Sequence, residues 1–169
     1  MIGFKLDELM TGSHRFTDGR DDHGAERPLM FSLTWGNGNL LQWLNPFSRQ
    51  FLFNEARGVI TVAGLATKAD CQGTLHLLYF TERKIRYELL FTGDDGRPYR
   101  YLGEKVNLWP WNLHKTHVTC YGTITDLTSG RDISRSVVYF PYRETLAFLL
   151  SFRLRWNKVF KYTSAGEQA

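Results

Sequence analysis

Apolar and polar residues alternate with a period of two along much of this chain, most clearly over residues 85–91. Ile85, Tyr87, Leu89 and Phe91 alternate there with Arg86, Glu88 and Leu90. One apolar face at that period predicts a half-buried β-strand. Gly93-Asp94-Asp95-Gly96 interrupts it, and a second alternating run starts near Tyr99. A three-residue loop, Asp94-Asp95-Gly96, puts Gly96 in the left-handed conformation that glycine tolerates. That loop sets Phe91 opposite Tyr99, Leu89 opposite Tyr101, Tyr87 opposite Gly103 and Ile85 opposite Lys105. On the other face Arg86 meets Glu104, and Glu88 lies diagonal to Arg100. A slip of one residue would put both tyrosines among the charges and Arg100 among the apolar side chains. This register turns Lys105 and Asn107 toward the apolar side.

The remaining pattern extends the same theme. Residues 4–10, FKLDELM, read as an amphipathic lead-in of one helical turn, and residues 12–18 as a first strand. Residues 28–36 form a strand with Leu29, Phe31, Leu33 and Trp35 on one face and Met30, Ser32 and Thr34 on the other. Asn39 can cap a short helix that runs through Leu44 and stops before Pro46. Further strands are expected at 58–66, 73–80, 116–126 and 132–140. Both a three- and a four-residue loop give sensible apolar pairs in the last hairpin, so its facing stays open. About eight strands joined by short turns predict a mainly β fold, an antiparallel up-and-down barrel or a sandwich. An eight-stranded barrel is wide enough to hold one small ligand.

Residues 143–161 predict a C-terminal helix, apolar at first and made basic by Arg153, Arg155, Lys158 and Lys161. It would pack on the barrel wall or on a second subunit of a homodimer, or lie on a membrane surface. The expected domain spans 1–162, followed by a disordered polar tail at 163–169.

Composition narrows the function classes. A chain of 169 residues is long enough for one real core, and 43% hydrophobic with 22% charged residues suits a soluble globular protein. Aromatics at 15% fit a broad interior or a ligand cavity. The net charge of +4 is dispersed, with no aromatic-interleaved basic run, so no nucleic-acid partner is expected. The first residues carry acids and no apolar core of signal length, and no stretch reaches transmembrane length, so a cytoplasmic location is expected. Cys71 and Cys120 lie far apart without metal spacing, which favours two buried thiols over a disulfide.

Candidate chemistry gathers around Lys105. A lysine facing an apolar interior is costly unless paired, so it can anchor a ligand carboxylate or serve as a reactive amine; a lysine at the rim with its head in water is the plainer reading. Trp109-Pro110-Trp111 makes a stiff aromatic corner, either plug or lip of a ligand pocket. With His117 and Tyr121 nearby in sequence, and Tyr87 and Tyr101 as walls, these residues form the expected ligand site. His114 and His117 are three apart, so on a strand they face opposite sides and do not chelate together. No metal or other cofactor is expected. His14 and His76 fit structural histidines, and no carboxylate pair, phosphate loop or nucleophile elbow occurs.

Residues 11–16 (TGSHRF), 31–36 (FSLTWG), 103–107 (GEKVN) and 134–140 together resemble a small β domain. It is the calycin-like accessory domain, related in shape to lipocalins, that some bacterial cholesterol-oxidase-like flavoproteins carry. The resemblance implies a barrel with an apolar cavity and a flavoprotein partner acting on lipid- or steroid-like substrates. It carries over no catalytic residue. The lipocalin Gly-x-Trp motif is missing, since Leu33-Thr34 precede Trp35, and no flavin-binding region is present. The first functional expectation is non-enzymatic binding of an apolar, lipid- or steroid-like small molecule. The alternatives are a cofactor-free isomerase or hydrolase using Lys105 or His117 as base, and an interaction subunit docking through the C-terminal helix.

Overall fold

The hairpin at 85–107 adopts the register that its side chains favour. A computed structural model describes residues 2–20, 24–108, 118–141 and 145–156. In it Phe91 pairs with Tyr99, Leu89 with Tyr101, Arg86 with Glu104 and Ile85 with Lys105. Gly96 has φ +78°, and its N–H donates to the Gly93 carbonyl to close the turn. Arg86 Nε donates to Glu104 at 2.9 Å on the outer face. Asn107 departs from expectation: it is exposed, because its φ of +58° ends the alternation just after Lys105.

The described elements are β1 (Ile2–Phe16), β2 (Arg27–Asn37), α1 (Leu40–Leu44), β3 (Phe53–Val62), β4 (Ala66–Leu78) and β5 (Lys84–Thr92). They continue with β6 (Pro98–Lys105), β7 (Thr119–Asp126), β8 (Arg131–Tyr139), α2 (Thr145–Leu150) and β9 (Arg153–Trp156). Antiparallel neighbours run β2-β3-β4-β5-β6-β7-β8-β1, and β1 pairs back onto β2. That pairing closes an eight-stranded antiparallel barrel, with β9 added along β1. The sandwich alternative is thereby excluded, and closure removes most exposed strand edges.

Three sequence expectations need correction, and one left open is now decided. Residues 4–10 are not a helical turn: β1 is a single strand of 15 residues. Phe4, Glu8, Met10, His14 and Phe16 are its buried side chains, a period of two that FKLDELM masks by also fitting a helical face. The expected strand at 58–66 is parts of two strands, because Gly64 at φ +82° turns the chain between β3 and β4. The β7–β8 hairpin uses both candidate registers. Asp126 pairs with Arg131 across a four-residue loop, and a bulge then shifts Ile124 opposite Ser134. This faces Cys120, Gly122 and Ile124 inward.

The last correction is at the C-terminal end. Among the described residues the helix is Thr145–Leu150, and Arg153–Trp156 forms β9 against Ile2–Lys5. An open edge of β1 offers backbone donors and acceptors there, and pairing with them satisfies a strand better than continuing a short helix in water. Arg153 and Arg155 therefore lie on a strand. Residues 157–169, including the expected tail, lie outside the described residues.

Aromatic rings fill the middle of the barrel. Phe31 on β2 meets Tyr87 and Tyr101 from the facing wall, with ring centroids 5.9 and 5.4 Å away. Gly103 and Gly122 are register partners, and the Tyr101 ring lies over both. A Cβ on Gly122 would stand 2.5 Å from that ring. Gly122→Ala should cost about 1–3 kcal/mol through this overpacking. The expected reading is a lower urea midpoint with an unchanged m-value; an unchanged midpoint would refute the packing.

Candidate functional site

The site begins with an interruption in β1. One edge of β1 pairs with β9 through Ile2–Lys5 and with β8 through Thr11–Phe16. Among the described residues no strand pairs with that edge between them. The Asp7 N–H there donates instead to Ser151 Oγ at 2.9 Å, just past α2. A cleft of about 440 Å³ opens at this split, with Glu8, Phe140, Phe148 and Ser151 among its walls.

Glu8 points inward from the split, and β1's alternation puts it there. It collects donors from three other strands. Lys105 Nζ on β6 donates to Oε1 at 2.9 Å, and Trp35 Nε1 on β2 donates to Oε2 at 3.0 Å. The Tyr87 hydroxyl on β5 reaches both oxygens, at 3.0 and 3.1 Å. Glu8 and Lys105 are almost wholly buried, with side chains 5% and 4% exposed. Burial, and then the Glu8 charge, push the Tyr87 phenol well above its usual range, so it remains a donor. Lys105 Nζ also lies 5.3 Å from the Tyr87 ring centroid and 5.9 Å from that of Phe140.

Half-buried apolar side chains pack against the barrel core, among them Leu6, Trp43, Leu77, Tyr79, Phe140 and Phe148. Burial and then Glu8 raise the Tyr79 phenol, which places Tyr79 within the reach of that charge. Two polar atoms at this end are buried without a hydrogen-bond partner among the described residues, Asn54 Oδ1 and Trp43 Nε1. Asn54 shares a cross-strand row with Leu75, Tyr87 and Gly103. An unmet buried polar atom costs about 1–3 kcal/mol, and such atoms concentrate where a protein has another use for them.

The expected site residues divide into three groups. Lys105, Tyr87 and Tyr101 are buried at one end of the interior, with Tyr101 forming its floor beside Phe31 and its hydroxyl 3.8 Å from Cys120 Sγ. Tyr121 is not with them: it is 55% exposed on the outer wall, because its neighbours Cys120 and Gly122 take the inward positions. Trp109, Trp111 and His117 lie outside the described residues. Glu8, Trp35, Asn54, Phe140 and Phe148 were not expected here. The alternation of Phe4, Leu6, Glu8 and Met10 carried a signal for Glu8, but nothing local placed it opposite Lys105.

Other clusters are structural. His14 is 1% exposed and bonds Ser134 Oγ and the Ala63 carbonyl through its two ring nitrogens, as a structural histidine should. No group of three or more His, Cys, Asp or Glu able to hold a metal occurs among the described residues. No described helix is long and apolar enough to cross a membrane. Cys71 and Cys120 are free and buried, as expected.

Two predictions follow from the geometry. Lys105→Met leaves a buried carboxylate and should cost about 3–5 kcal/mol in chemical denaturation. Glu8→Leu should cost more, because it strands Lys105, Tyr87 and Trp35 together; equal or smaller loss would show that the cluster is not coupled as described. For the cysteines, burial lifts both thiols to about 12. Folding therefore favours the protonated thiol. That contribution is present in full below the ordinary thiol value and fades as pH rises through about 12. A disulfide exchange reagent at pH 8 should label neither cysteine until denaturant is added; prompt labelling of the native chain would contradict the burial.

No family model, curated protein or solved structure matches this chain, so its function must be argued from the residues at the split of the barrel.

Proposed function

We propose that the protein binds, without catalysis, an apolar small molecule carrying a hydroxyl head, such as a sterol or a long-chain alcohol. The observation that carries this reading is the buried Glu8–Lys105 pair, whose Glu8 also borders the cleft walled by Phe140 and Phe148. A carboxylate head was the first expectation for Lys105. Glu8 already fills that role at 2.9 Å, and a second carboxylate would meet its like charge in a low-dielectric site. A hydroxyl avoids the conflict. It can donate to Glu8 and accept from Lys105 while the ion pair stays intact. The apolar body would then lie against the half-buried rings at this end of the barrel, above the floor made by Phe31, Tyr87 and Tyr101.

The reading limits ligand size. The centre of the barrel is packed with rings, so the site belongs to one end and the split rather than to the full length of the interior. It also supports the expectation of a lipid- or steroid-like ligand over that of a base-catalysed reaction, since Tyr87, Trp35 and Lys105 all donate to the one carboxylate of Glu8.

The test compares a sterol, a long-chain primary alcohol and the fatty acid of equal chain length. The sterol or the alcohol should raise the melting temperature, and the acid should raise it less. Native mass spectrometry of freshly purified protein should show the same class of ligand retained. No shift with any of the three, together with a bare mass, would reject the proposal; a larger shift with the acid would reject the hydroxyl assignment.

A further inference from the structure

The two ends of the barrel differ in chemistry. One is closed by turns of small and polar residues, among them Asp94-Asp95-Gly96 and Thr128-Ser129-Gly130. The other carries α1, the turn at 79–83 and α2. Among the described residues, the five most exposed large apolar side chains are Phe47, Leu41, Phe80, Leu150 and Leu149, and all five project from this second end. Phe47 is 96% exposed, Leu41 83% and Phe80 80%.

Ring contacts join these segments into one rim. Phe152, just past α2, stacks on Phe4, and Phe4 meets Trp43 of α1 edge to face. Phe51, just before β3, stacks on Phe80. Exposed apolar side chains gathered at one end mark a surface that meets something else.

A cationic patch adjoins the rim. Lys5 and Arg153 are register partners, Arg155 lies opposite Gly3 on the same ladder, and Arg57 projects from β3 nearby. Lys5 is held below its ordinary pKa, first by burial and then by Arg155, Arg57 and Arg153, with Asp7 opposing them. The acids close by are Asp7, 3.6 Å from Arg153, and Glu55 beside Arg57. At Lys5 the nearby arginines outweigh Asp7.

We propose that this end of the barrel docks on an anionic lipid bilayer. Phe47, Leu41, Phe80, Leu149 and Leu150 enter the acyl boundary, while Lys5, Arg57, Arg153 and Arg155 meet the headgroups. A folded protein partner would need a shaped recess for every protruding side chain. A fluid acyl layer accepts them without shape complementarity, and headgroups present spread negative charge to this cationic surface. The proposal stands on this surface and not on the ligand. It does place the cleft over Glu8, which α2 borders, beside the phase in which apolar molecules dissolve.

The experiment is co-sedimentation of the full chain with vesicles of phosphatidylcholine alone and of phosphatidylcholine mixed with phosphatidylserine. Binding is expected on the mixed vesicles, weakened by salt, with little on the neutral ones. Leu41→Ser combined with Phe47→Ser should weaken it by about a hundredfold or more. Arg155→Glu should weaken it by about thirtyfold, two charges being altered near the surface. These side chains are exposed, so both variants should keep the wild-type urea midpoint and the thermal shift given by the alcohol. No binding to anionic vesicles, or binding that the Leu41/Phe47 double variant leaves unchanged, would overturn the proposal. A wild type that ignores vesicles but elutes as a dimer, which the double variant dissociates, would assign the rim to a protein interface instead.

Discussion

The carboxylate of Glu8 is the point on which one end of this barrel depends. It sits on β1 and receives hydrogen bonds from β2, β5 and β6, so one side chain ties four of the eight barrel strands across the interior. A buried charge is tolerated only when its partner is close and its remaining lone pairs are satisfied. Lys105 supplies the charge, and Trp35 and Tyr87 supply the remaining donors. Each of the three would be costly to bury alone. Their common acceptor makes an otherwise unfavourable set of groups mutually dependent, which fixes the level at which the facing walls meet.

The location of Glu8 follows from how β1 is shared. This strand closes the barrel against β2 and β8 and also carries β9, yet β8 and β9 leave a stretch of its edge uncovered. Ser151 and Phe148 cover that stretch with side chains instead of a strand. Side-chain cover can be displaced at lower cost than a ladder of backbone hydrogen bonds, so the split is the natural route toward the polar cluster. The same segment leads into α2, whose Leu149 and Leu150 are exposed beside it. The uncovered stretch, the buried polar cluster and the exposed apolar residues thus share one end of the molecule, while the opposite end carries polar turns.

Much of the framework was legible from local pattern. Strict alternation, a four-residue turn signal and complementary cross-strand charges specified the 85–107 register, and Lys105 faces inward as that register requires. Leu29 to Trp35 and the Asn39-capped helix were equally plain, because each rests on neighbours within one element. The failures had local causes too. FKLDELM satisfies both a helical and a strand period, and only pairing with β2 selects the strand. Residues 151–156 look like the continuation of an amphipathic helix until the edge of β1 offers them backbone partners. In the last hairpin neither loop length was wrong, since a bulge lets each register hold on its own side.

Sequence alone therefore determined that this chain makes antiparallel strands, where most of them turn, and that a lysine enters the apolar side. Those outcomes depend on interactions between residues close in the chain, where alternation and turn chemistry act directly. Tertiary structure decided what the lysine is for. Glu8 and Lys105 stand 97 positions apart, and no periodicity relates them. Closing the sheet into a barrel brought β1 around to face β5 and β6, and only then did a carboxylate, an ammonium, a phenol and an indole become neighbours. The Trp35 nitrogen acquired a partner, Tyr121 was turned outward, and the exposed apolar residues of three distant segments met at one rim, because those relations are set by closure and not by local sequence.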